Sequence, residues 1–165
     1  MSTLKRFALI VTIVILTACS APVTPTVTPQ PPTPTVHADL ATLAQNRQKW
    51  GALKATHYSF KLAVGCFCAF RDQMPLSIEV KDGKVVSILD NKGQPVEQFA
   101  DLFDTYNTIE KLFGKLDEAL NGGADKTTVT YNAEKGYPES IYIDYIEQAA
   151  DDEINFTVTD LAVLP

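Results

Sequence analysis

The sequence predicts an α+β domain: a six-stranded, mainly antiparallel sheet with two helices packed on one face. Three observations predict it. Two stretches carry apolar residues at helical spacing, six carry them at every second position, and they alternate as helix plus three strands, twice over. The connections between strands are short, whereas parallel neighbours need crossovers of a dozen or more residues, so antiparallel pairing follows. A chain of 165 residues, 45% hydrophobic and 21% charged, suits one such domain and leaves no length for a second.

Lys5 and Arg6 precede an uncharged run over residues 7–16. Ten residues at about 1.5 Å each are too short to cross a hydrocarbon layer of about 30 Å, and the run reads as the apolar core of a signal peptide. It ends in Leu16-Thr17-Ala18-Cys19, which resembles the bacterial lipobox. That resemblance implies cleavage after residue 18 and diacylglycerol on the Cys19 thiol, a lipoprotein signal peptide over residues 1–18, and attachment to a membrane of the bacterial cell envelope. Ser20 in place of Asp resembles the outer-membrane sorting pattern of bacteria with two membranes. Cleavage removes two of the 14 basic side chains, leaving 12 against 20 acidic ones, a net charge of -8. Such a domain is repelled by anionic headgroups, so the acyl chains carry the attachment. The same acidity argues against nucleic-acid binding, which rests on Lys and Arg neutralising phosphates.

Residues 20–36 hold six Pro, five Thr and no charge, which favours extended polyproline II and no core. With Cys19 and His37 they form a linker over 19–37, and the folded domain is expected over 38–165.

Asp39 caps a helix running to about Ala55, with Leu40, Leu43, Trp50 and Leu53 on one stripe. Arg47 shares that stripe; its guanidinium either binds a ligand or reaches water while its stem covers apolar surface. Tyr58, Phe60, Leu62 and Val64 then alternate as a half-buried strand. Leu76, Ile78 and Val80 follow, and Lys81-Asp82-Gly83-Lys84 is a hairpin signal leading to Val86 and Ile88. A three-residue loop with Gly83 in a bulge keeps Val86 and Ile88 on the apolar side, so a bulged turn is expected. Val96, Phe99, Leu102 and Phe103 bury part of the way into the second helix. Asn107 or Thr108 caps that helix, in which Ile109, Leu112, Phe113, Leu116 and Leu120 form the apolar face and Asn121-Gly122-Gly123 the stop. Three strands complete the chain, with Val129 and Tyr131, then Ile141, Ile143 and Tyr145, then Ile154, Phe156 and Val158 inward.

The other face of the sheet collects Ser59, Lys61, Ser77, Glu79, Ser87, Thr128, Thr130, Ser140, Tyr142, Asp144, Thr157 and Thr159. It is either ordinary solvated sheet or a docking surface for a partner, and Lys61, Glu79, Thr130, Tyr142 and Asp144 are its candidate binding residues. Cys66-Phe67-Cys68 is the one unusual feature of the domain. An oxidising compartment bridges such a pair if the chain turns there. The alternatives are a passive disulfide, free buried thiols, a thiol redox centre, or a soft-ion site for Cu(I). No other metal or cofactor is expected. His57 lies at the start of a strand without H-x-H or H-E-x-x-H spacing, and Ser59 and Ser140 are outside any nucleophile-elbow context. The acidic run from Asp144 to Glu153 lacks the spacing of a calcium loop.

The spaced set Trp50, Tyr58, Cys66-Phe67-Cys68, Val80 with Asp82-Gly83-Lys84-Val85, Thr108-Ile109 with Leu112-Phe113, and Gly136-Tyr137-Pro138 followed by Ile141, Ile143 and Asp144 resembles a family of uncharacterised bacterial envelope lipoproteins over about residues 45–160. The layout is also similar, as a fold analogy, to PepSY and β-lactamase-inhibitor-like domains, from which no function follows. The expectation is a lipid-anchored, non-catalytic binding or structural protein with an envelope partner. A thiol redox or copper-binding module on Cys66 and Cys68 is the alternative.

Overall fold

The computed structural model describes residues 36–165; the expected signal peptide, Cys19 and the expected linker up to residue 35 lie outside the described residues. The order is β1 (Val36–His37), α1 (Leu40–Ala52), β2 (His57–Gly65), β3 (Leu76–Lys81), β4 (Lys84–Leu89), α2 (Ala100–Phe103), α3 (Ile109–Glu118), β5 (Lys126–Tyr131), β6 (Pro138–Asp144) and β7 (Ile154–Val163). The six predicted strands form one antiparallel sheet. A seventh, two-residue strand at the end of the linker pairs with β5 at the sheet edge, giving the order β1-β5-β6-β7-β2-β3-β4. The sheet thus consists of two meanders, β2-β3-β4 and β5-β6-β7, each preceded by a helix and joined where β2 pairs with β7.

Both main helices start where a side chain satisfies orphan N–H groups. Asp39 accepts from Thr42 N at 2.7 Å, and Thr108 accepts from Lys111 N at 3.2 Å. In α3, Ile109, Leu112, Phe113 and Leu116 are fully buried against the apolar face of the sheet. In α1 only Leu43 and Trp50 are buried, and the helix stops at Ala52 rather than Ala55. Leu40 and Leu53, expected on the same stripe, are exposed. They sit at the two ends of a short helix, Leu40 as its first residue and Leu53 as its C-cap. The additional helix α2 buries Phe103 against Phe70 and Tyr106 and leaves Leu102 in water.

The β3–β4 hairpin corrects the expected turn. Asp82 and Gly83 both have positive φ, 52° and 73°, and Lys81 pairs with Lys84, so the loop has two residues. This is the mirror-image turn that Asp-Gly favours because it matches strand twist. The parity mismatch is repaired inside the strand: Val80 pairs with Val85 and Glu79 with Ser87, leaving Val86 as the bulged residue. Val85 therefore packs on the core, Val86 is exposed, and Ile88 returns inward.

A polar node ties the first helix and strand to α3. Trp50 Nε1 donates to Glu110 Oε1 at 2.8 Å, and the Tyr58 hydroxyl donates to Glu110 Oε2 at 2.7 Å while accepting from Ile109 N at 3.2 Å. Burial, then the Glu110 carboxylate, push the Tyr58 phenol far above its ordinary pKa. Trp50 also meets Tyr58 and Tyr137 edge to face, with centroids 5.3 and 6.1 Å apart. Gly136 lets Tyr137 come this close: its φ is +79°, and a Cβ there would lie 2.6 Å from the Asn46 carbonyl oxygen of α1. Tyr58→Phe removes one hydroxyl and leaves the buried Ile109 N–H without its acceptor. It is expected to cost about 1–3 kcal/mol, read as a lower urea midpoint at unchanged slope; an unchanged midpoint would show that water serves these groups equally well.

Candidate functional site

The face of the sheet away from the helices carries the predicted polar residues. Thr130 pairs with Ser140, Tyr142 stands between Thr128 and Asn155, and Asp144 pairs with Lys126. Lys61 pairs with Ser77, and Glu79 lies between Ser59 and Ser87. The five candidates thus share one face in two groups. Lys61 and Glu79 lie on β2 and β3, and Thr130, Tyr142 and Asp144 on β5 and β6, with Thr157 and Thr159 of β7 between them. The first group lies in a concavity. A depression of about 250 Å³ is lined by Ser59, Lys61, Ser77, Glu79, Ser87 and Asp160.

Asp160 was not expected there. Strand parity directs it toward the core, yet its carboxylate is 2.8 Å from Lys61 Nζ. The register of β2 against β7 shifts between Ser59 and Lys61, and Asp160 has a φ of +54° at that shift. A bulge re-aims the side chain onto the open face. The signal in the sequence was the conflict itself, an acidic residue at an inward position. Asp tolerates the left-handed region better than most residues, which makes this the place where the strand gives way.

His57 is the second addition. Its Nε2 lies 2.8 Å from Glu79 Oε1 and its Nδ1 3.0 Å from the Pro165 carbonyl. The Glu79 hydrogen bond first, then the Pro165 carbonyl, hold the imidazole pKa above its ordinary value. At the other end of the face, partial desolvation and the Asp144 and Glu153 carboxylates raise the Tyr142 phenol.

At the end of β2, Cys66 and Cys68 are joined by a disulfide with a Cα–Cα distance of 5.2 Å. The chain turns as the bridge requires: Cys68 N donates to the Cys66 carbonyl at 2.8 Å. Bonded sulfurs present no thiolate, so Cu(I) ligation would require prior reduction. Arg47 donates to the Phe113 carbonyl at 2.9 Å and lies 5.7 Å over the Phe113 ring, so its stem and head cover α3. In the acidic loop, Asp152 accepts from Ile146 N at 2.6 Å and Asp125 from Glu147 N at 3.0 Å.

A raised His57 pKa gives stability that is fully present below the unfolded value of about 6.5 and is lost as pH rises through the folded value. Thermal unfolding of the wild type is therefore expected to fall between neutral and mildly alkaline pH relative to His57→Gln, which lacks the titrating ring. Parallel profiles would show that the Glu79 and Pro165 contacts do not hold the proton.

A family described as of unknown function, DUF6174, matches residues 42–163. No curated protein and no solved structure matches the chain.

Proposed function

Since the chain belongs to DUF6174, a family of unknown function, we propose that it is a lipid-anchored protein of the bacterial cell envelope and that it acts by binding rather than by catalysis. The partner, an envelope protein, docks on the open sheet face. The observation that carries the reading is the β-bulge at Asp160, which sets its carboxylate beside Lys61 in a depression lined also by Glu79, Ser59, Ser77 and Ser87, with His57 bonded to Glu79 at its edge. The Lys61–Asp160 pair is about half exposed on each side. Such pairs add little stability, about 0–1 kcal/mol, so both charges stay available to a partner that exchanges its own charges with them. The serines and threonines around it offer donors and acceptors on a firm backbone.

Membrane attachment falls to Cys19, because among the described residues no helix is long and apolar enough to cross a membrane and the acidic domain has no affinity for anionic lipid. Cys19→Ser is expected to abolish incorporation of labelled fatty acid and to move the protein out of the membrane fraction. Retention of the variant in membranes would overturn the anchor.

A photo-crosslinking side chain placed at Thr157, between the two groups of candidate residues, is expected to capture a defined envelope protein in growing cells. Lys61→Glu should weaken that adduct, and the same crosslinker at Gly114 on the exposed side of α3 should give none. An equal yield from Thr157 and Gly114 would remove the sheet face as the docking surface.

A further inference from the structure

The Cys66–Cys68 bridge ties together nothing but its own loop. It lies past Gly65, the last residue of β2 paired with β7, and spans a sequence separation of 2. A disulfide stabilises chiefly by closing a loop in the unfolded chain, and the gain shrinks as the closed loop shortens, so this bridge is close to the least useful staple a chain can make. It joins no two elements, and opening it frees no strand. The fold therefore gives no reason for the bond, and its surroundings suggest another.

Cys68 lines an open cleft of about 370 Å³ together with Phe67, Ala69, Arg71 and Asp72, whereas Cys66 is not part of that lining. Phe67, between the two cysteines, is 79% exposed, the most exposed large apolar side chain among the described residues. Both cysteines pack in part against the core, so the ring is seated while the phenylalanine stands clear of it. An exposed aromatic beside a reachable sulfur is a contact for another protein's apolar surface. Arg71 and Asp72 place one positive and one negative side chain in the same cleft.

We propose that the Cys66–Cys68 bridge is a thiol–disulfide exchange site for the dithiol of a partner protein, and that Cys68 Sγ is the atom attacked. The partner's thiolate, having released its proton to solvent, attacks Cys68 Sγ through the cleft. A partner–Cys68 disulfide forms, the Cys66–Cys68 bond breaks, and Cys66 Sγ leaves with the electron pair and takes a proton from solvent. The partner's second thiolate then attacks the partner sulfur of the mixed disulfide, and Cys68 leaves in the same way. The bridge has gained two electrons and two protons, and the partner dithiol has become a disulfide. Phe67 seats the partner during the first attack. The inference is independent of docking on the sheet face, which involves other residues and fails or holds by the crosslinking test.

The experiment uses the full-length chain, purified oxidised from an exporting host and incubated with reduced glutathione at neutral pH without denaturant. Labelling is read at the Cys66 and Cys68 peptides by mass, and circular dichroism follows the fold. The bridge is expected to open with the fold unchanged. In Cys66→Ser, Cys68 should react with an alkylating agent at least about tenfold faster than Cys66 does in Cys68→Ser, because rate follows access to the sulfur. If either variant fails to fold, the wild-type reaction alone decides. A bridge that glutathione opens only once urea has unfolded the domain overturns the exchange site, and a Cys66 that reacts as fast as Cys68 overturns the assignment of the attacked atom.

Discussion

The pairing of β2 with β7 is the constraint on which the rest of the structure depends. Each half of the chain is a helix followed by a three-stranded meander built from local pairings. Joining the halves along β2 and β7 lays Phe60, Leu62 and Val64 beside Phe156 and Val158 and makes one floor for α1 and α3. The seam links strands about a hundred residues apart in sequence, so its loop-closure cost falls due before any of this burial is gained. The Trp50–Tyr58–Glu110 node complements it on the helix side, clamping α3 of the second half to α1 and β2 of the first.

That seam also makes the open face what it is. Two twisted meanders do not meet in perfect register, and the mismatch is taken up at one residue, Asp160, which leaves the strand conformation and turns its carboxylate toward Lys61. The depression on the face lies beside this irregularity. Its polar residues come from β2, β3, β4 and β7, so neither meander alone contains the set.

Periodicity made most of the fold legible. Alternation placed Tyr58, Phe60, Leu62 and Val64 inward, and the helical spacing of Ile109, Leu112, Phe113 and Leu116 marked α3. What periodicity cannot carry is a one-residue slip. At β3–β4 the slip was foreseen but put in the turn, because a Gly after Asp fits a bulged loop as well as a tight one. The structure keeps the tight turn and exposes Val86 instead. At β7 the slip was not foreseen at all, and Asp160 was missed with it. The two-residue strand β1 has no pattern to read, since two residues show no period.

The functional residues were less legible for a related reason. The residues that carry the family resemblance are mostly those that hold the fold: Trp50, Tyr58 and Tyr137 form one aromatic cluster, and Gly136 is small because α1 passes it. Such a pattern reports packing, and the open face, made of serines, threonines and single charges, leaves no comparable mark. Cys66 and Cys68 are the exception, visible because two sulfurs one residue apart stand out in the sequence itself. Strand β2 places the two candidate activities side by side and also keeps them apart. Lys61 and Cys66 are five residues apart on the same extended run, about 16 Å at 3.3 Å per residue. The strand between them is paired on one side or both along its whole length, so opening the bridge has no means of shifting Lys61. A change in the oxidation state of the loop therefore reaches only the loop and the Phe67 it presents, and the charged depression stays as the β2–β7 seam sets it.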